Sequence, residues 1–142
     1  MSWPGFASIE FQKASAVLVF ADGDRLEVAK RDLAFLGEYT TDEGPFADDW
    51  FFVIGVRGVG LFEEPMGRIR NSDLTSFDPT AGFELIGSTD YASRVCWPEE
   101  LRGQEIFTVE PAGRFWRPQI RITLRQELQE LIGREVFDTD CE

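Results

Sequence analysis

The run Trp50–Val56, WFFVIGV, constrains the fold of this chain more than any other stretch. It joins aromatic and β-branched residues without a polar break, the composition of a strand buried on both faces. Gly58-Val59-Gly60 then favours a tight reversal, and Leu61-Phe62 begins the return. Acid pairs flank the segment, Asp48-Asp49 before it and Glu63-Glu64 after it. Both pairs are expected to hold the ends of the hairpin in water. A strand that needs cover on both faces belongs at the centre of a mostly antiparallel sheet.

The rest of the chain supplies candidate neighbours. Ile9, Phe11 and Ala14–Ala21 (ASAVLVFA) predict one long strand or two short ones. Asp22-Gly23-Asp24 is turn chemistry and makes a hairpin of Val17–Phe20 and Arg25–Ala29. Lys30–Gly37 fits a helical turn or an irregular strand. Gly82–Ile86, Arg94–Trp97 and Glu105–Val109 read as further strands. Pro98–Leu101 reads as one helical turn closed by Gly103. Pro111–Pro118 reads as a loop or edge segment, and Gln119–Ile122 as a strand.

The C-terminal part has the clearest helical period. Leu124, Leu128, Leu131 and Ile132 fall on one stripe. Thr123 is the expected N-cap, with Gln126 completing a capping box, and Gly133 is the stop. These elements predict an α+β fold in one domain spanning residues 1–142. Its frame is a single twisted, mostly antiparallel sheet of about six or seven strands, flat or partly rolled towards a barrel, with a C-terminal helix packed on it.

The chemistry available is narrow. With 142 residues and 43 % hydrophobic content the chain is long enough and apolar enough to bury a core. It contains no histidine, which removes Ser-His and Cys-His nucleophile pairs and most transition-metal sites. A Schiff-base mechanism would rest on Lys13 or Lys30, the two lysines present. Cys96 lies in an apolar run and reads as a small buried hydrophobe, while Cys141 is expected to be exposed, and nothing requires them to pair.

Asp48, Asp49, Glu63 and Glu64 are the residues a hard cation would need, but adjacent acids on a strand point to opposite faces. No metal site is therefore expected. The glycines of Gly55–Gly60 lack the lysine and helix of a phosphate loop, so no nucleotide and no other cofactor is expected.

Charge carries the functional reading. The net charge is −12 with a pI of about 4.4, which repels nucleic acid and anionic lipid and draws in basic proteins. The charge is uneven along the chain. Arg31–Glu64 holds eight acids against two arginines, whereas Gly113–Arg134 holds five arginines against two glutamates. Arg114, Trp116 and Arg117 form a basic-aromatic cluster whose role the sequence leaves open, between a stacking platform and an arginine-tryptophan cover for a sheet edge.

The acidic loop Thr41–Asp49 presents Phe46 among carboxylates, an arrangement suited to an apolar anchor ringed by steering charge. Asp42, Glu43, Phe46, Asp48, Asp49, Glu63 and Glu64 are the expected partner-binding residues. The reading is a non-enzymatic binding protein that captures a basic protein, as an immunity protein or inhibitor does. The alternatives are a small-molecule-binding barrel or carboxylate-dependent hydrolase, and a regulatory module of a larger assembly. The first twenty residues lack a basic start followed by a cleavage site, and no apolar run reaches membrane-spanning length. A cytoplasmic location with no membrane contact is expected. The oligomeric state is not specified at this level.

Overall fold

A computed structural model describes residues 8–12, 14–41, 50–66, 74–75, 77–85, 91–114 and 117–133, with backbone alone between 109 and 122. The order begins with three short strands, β1 (Ser8–Phe11), β2 (Ser15–Val19) and β3 (Arg25–Ala29). A 3₁₀ turn at Lys30–Asp32 leads into β4 (Leu33–Thr40). The stretch read as helical turn or irregular strand is thus both, in succession. β5 (Trp50–Val56) and β6 (Gly60–Pro65) form the expected central hairpin. β7 (Ala92–Trp97) follows helical residues at Leu74, Thr75 and Phe77 and an irregular segment over Gly82–Leu85. β8 (Phe107–Arg114), β9 (Arg117–Leu124) and a helix, α1 (Gln126–Ile132), complete the described chain.

The strands make three antiparallel sheets: β1-β2-β3, β6-β5-β4-β7, and the pair β8-β9. The α+β class holds, but the expected single sheet of six or seven strands is divided. The reason is amphipathicity. β4 is buried at every position, and β5 at five of seven, so the four-stranded sheet needs a layer on each face. β1 and β3 alternate between more and less exposed positions, as the strands of a covering layer do, while β2 between them is buried at four of five positions.

Ala16, Leu18 and Val28 of that layer pack on Leu36, Phe52, Ile54 and Val56, with Leu74, Phe77 and Ala81 closing the side. On the other face Leu128 and Ile132 of α1 pack on Phe35, Val53, Leu61 and Val95, joined by Ile106, Phe107 and Leu124. The result is a sheet, sheet and helix sandwich with two apolar cores.

Two glycines in the central sheet are fixed by geometry. A Cβ on Gly37 would stand 2.3 Å from Ile106 Cδ1 and 2.8 Å from the Arg94 carbonyl oxygen, so only glycine lets β7 and residue 106 close on β4. Gly58 has φ +73°, which the turn between β5 and β6 requires. That turn also finishes the helix. Gly58 N–H donates to the Ile132 carbonyl at 2.6 Å, and Arg57 Nη1 donates to the Leu131 carbonyl at 3.0 Å. A guanidinium thus sits at the negative end of α1, where carbonyls lack helical partners.

Two local expectations are corrected. Thr123 is not the N-cap: it pairs with Thr108 in β9, and α1 starts after Arg125 with no side-chain cap bond. The ladder outcompetes the cap, and Gln129 Nε2 instead bonds the Leu124 carbonyl at 2.8 Å. Gly82–Leu85 is not a strand, because its backbone is held by a side chain of β4.

Candidate functional site

Among the described residues the densest polar chemistry is buried between β4, β7 and the Gly82–Leu85 segment. Glu38 lies in the middle of an otherwise apolar strand and is fully enclosed. Burying a carboxylate is costly unless each oxygen is partnered. Here Oε1 accepts from Trp50 Nε1 at 2.9 Å and from Leu85 N–H at 3.0 Å. Oε2 accepts from Glu84 N–H at 2.7 Å and from Arg94 Nη1 at 3.1 Å.

Two successive backbone N–H groups are therefore bound by one carboxylate, which replaces a missing sheet partner for this segment. Arg94 also donates to the Gly82 carbonyl at 2.8 Å, and its Nε meets Glu84 Oε2 at 3.2 Å at the surface. Phe83 lies edge-on to Trp50 and to Phe52, so rings close over the charged pair.

Cys96 stands beside the same carboxylate, its Sγ 3.6 Å from Glu38 Oε2. Burial pushes its thiol well above the ordinary range, and the Glu38 charge adds to that. A thiol held protonated in this way is no nucleophile. The network is closed, and no buried side-chain nitrogen or oxygen among the described residues lacks a hydrogen-bond partner. It fastens a segment to the sheet and leaves no polar group aimed at a substrate. Among the described residues no three carboxylates or thiols converge as metal ligands.

Of the expected partner-binding residues, Asp42, Glu43, Phe46, Asp48 and Asp49 lie outside the described residues. Glu63 and Glu64 are described, and the expectation that they stand in water at the hairpin's end is corrected. They are inside β6, opposite Val53 and Phe52. Glu64 is 2 % exposed, on the face shared with Phe52, and Glu63 turns to the helix side, where it accepts from the Tyr39 hydroxyl. The two carboxylates do point to opposite faces, as the period of a strand requires. Glu64 is enclosed and Glu63 half-buried because β6 continues to Pro65 against β5.

The exposed acids lie elsewhere. On the outer face of β1–β3, Glu10, Val17 and Glu27 form one row across the sheet. Arg25 bridges to Glu10 at 3.1 Å, crossing β2 beside Val17, which is itself 4 % exposed. Beyond this bridge an open cleft of about 620 Å³ is lined by Gln12, Ala14, Ser15, Glu27, Ala29 and Asp32. Ser15 Oγ, almost enclosed, lies 3.1 Å from Gln12 Oε1 and 3.5 Å from Glu27 Oε1.

Sequence reasoning missed this surface because Glu27 reads as the polar face of a strand and Asp32 as one of the eight acids of Arg31–Glu64, with nothing local to bring the two together. Across the described residues eleven carboxylates are exposed against three arginines, Arg25, Arg31 and Arg57. No helix among the described residues is long and apolar enough to cross a membrane.

The described residues thus define an α+β fold with a closed charged network and more exposed carboxylates than exposed arginines. No protein-family profile, curated protein or solved structure matches the chain.

Proposed function

We propose that the chain is a non-enzymatic binding protein whose acidic surface captures a basic protein, in the manner of an immunity protein or inhibitor. The observation that carries this reading is the excess of exposed carboxylates over exposed arginines among the described residues. On the outer face of β1–β3 it is sharpened by the Glu10 bridge, which occupies Arg25 and leaves Glu27 and Asp32 beside an open cleft. Such a field speeds encounter with a cationic partner and excludes acidic ones, while an apolar anchor sets the lifetime of the complex. Phe46, in the acidic loop, is the anchor the sequence offers. The sealed Glu38 network supports a binding role over a reaction, since its thiol is held protonated and its carboxylate is fully engaged.

Affinity capture with the immobilised chain, followed by binding kinetics on the retained protein, tests the reading. The retained protein is expected to be basic, with an association rate that falls as salt rises. Asp42→Asn with Glu43→Gln, or Glu27→Lys with Asp32→Lys, should slow association. Phe46→Ala should speed dissociation. Retention of neutral or acidic proteins alone, or kinetics unmoved by all these substitutions in folded variants, would overturn it.

A further inference from the structure

Lys30 opens the turn between β3 and β4, and its side chain is half-buried. Nζ stands 4.6 Å from the centre of the Phe77 ring and 5.9 Å from that of Trp97. The two rings meet edge to face, 5.4 Å apart at 69°, and so make two walls of a corner. The face of an aromatic ring is negative, which draws a cation towards it. Among the described residues no carboxylate lies within ion-pair distance of this nitrogen, and no acceptor hydrogen-bonds to it. The rings are what hold it.

Each wall of the corner is supported without Lys30. Phe77 packs on Phe11, their centroids 5.3 Å apart, in the core shared with Leu74 and Ala81. Trp97 ends β7, opposite Leu36 of β4. Asp78, next to Phe77, accepts from the Thr80 N–H at 2.9 Å and from the Thr80 hydroxyl at 2.7 Å. Arg102 Nη2 in turn donates to that hydroxyl at 2.7 Å. The two bonds from Thr80, and after them the charges of Lys30 and Arg102, hold the Asp78 carboxyl below the ordinary range.

Lys30, by contrast, is lightly held. Its backbone N–H is fixed to the Ala14 carbonyl at 2.8 Å, so only the side chain has to swing for the corner to open. A cation–ring contact at a half-exposed position shifts an equilibrium by only about two- to fivefold.

We infer that Phe77, Trp97 and Asp78 form a binding site for an alkylammonium group, filled by Lys30 in the free protein and by a lysine side chain of the partner in the complex. The source of that side chain rests on the basic-partner reading above, whereas the site stands on the rings and the carboxylate alone. Self-occupancy keeps the ring faces covered until the partner arrives. A lone ammonium ion competes poorly with the tethered Lys30, but one delivered within a wider interface has a high effective concentration.

Titration of the full chain with tetramethylammonium chloride, followed at the Trp97 indole N–H by NMR against matched sodium chloride, tests the site. Lys30→Ala is expected to show a saturable shift, with a dissociation constant at least about fivefold below that of the wild type. Phe77→Leu on the Lys30→Ala background should abolish the saturable shift. If circular dichroism shows a variant to be misfolded, Lys30→Gln is read in place of Lys30→Ala, and Asp78→Asn, with weakened binding expected, in place of Phe77→Leu. A response of Lys30→Ala that matches sodium chloride overturns the inference. So does equal binding with and without Lys30, or saturable binding that neither Phe77→Leu nor Asp78→Asn reduces. No partner is present in this titration, so its failure strikes the site alone, and the basic-partner reading stands or falls on the affinity capture.

Discussion

At the scale of single residues, Glu38 decides most. It is a carboxylate inside an apolar strand, and its four closest donors come from Trp50, Glu84, Leu85 and Arg94. Glu38→Gln keeps the shape but removes the charge and turns one acceptor into a donor facing N–H groups. Leaving Arg94 without its buried partner should cost about 3–5 kcal/mol in urea unfolding. A loss below about half a kcal/mol would mean that the segment over Gly82–Leu85 is not fastened through Glu38.

Cys96 offers a second check, with Cys141→Ser as background in every protein compared. The free thiol ionises near its ordinary value of 9.0, whereas in the fold burial holds it protonated well above that. Above pH 9 the unfolded chain therefore binds fewer protons than the folded one. The share of stability tied to this thiol is intact below that pH and is lost as pH rises. Stability should consequently fall less steeply above pH 9 in Cys96→Ala than in the protein that keeps Cys96. Parallel slopes in the two would show that the thiol is not held protonated by the fold.

At the scale of elements, α1 is short and owes its stability to packing. Isolated helices of this length do not persist in water, so the Leu128–Ile132 face must hold it to the sheet. Leu128 is 1 % exposed in a core of Phe35, Val53 and Ile132. Leu128→Ala should cost about 2–5 kcal/mol, read from the shift of the urea midpoint at constant slope. A cost of a few tenths would place the stripe outside the core.

The helix and the central hairpin were legible in the sequence because their signals are local: an apolar period in one case, an unbroken apolar run with a glycine turn in the other. The capping box was misread because Thr123 and Leu124 answer to Thr108 and Phe107, partners in another strand. Gly82–Ile86 alternates like a strand, yet over Gly82–Leu85 its backbone bonds go to a side chain 46 and 47 positions away in sequence.

At the scale of the molecule, acidity was legible but its distribution was not. Glu38 and Glu64 look alike in sequence to Glu27 and Asp32. Only the fold encloses the first group, and leaves the second beside an open cleft. Two opposite charges set in apolar strand-like runs, Glu38 and Arg94, were the one signal that could have revealed the buried pair.

The stitch between the β5-β6 turn and the end of α1 has a consequence for how the molecule is made. Arg57 and Gly58 wait for the carbonyls of Leu131 and Ile132, which leave the ribosome among the last of the described residues. The covering strands β1–β3 are synthesised first and β4, β5 and β6 next, so one side of the central sheet can close while translation continues. The side holding Phe35, Val53 and Leu61 stays incompletely covered until the helix emerges. During that interval the nascent chain carries an incompletely covered apolar sheet, the kind of surface that chaperones bind and that aggregates form from. The final turn of helix is thus the fastening that ends this exposure.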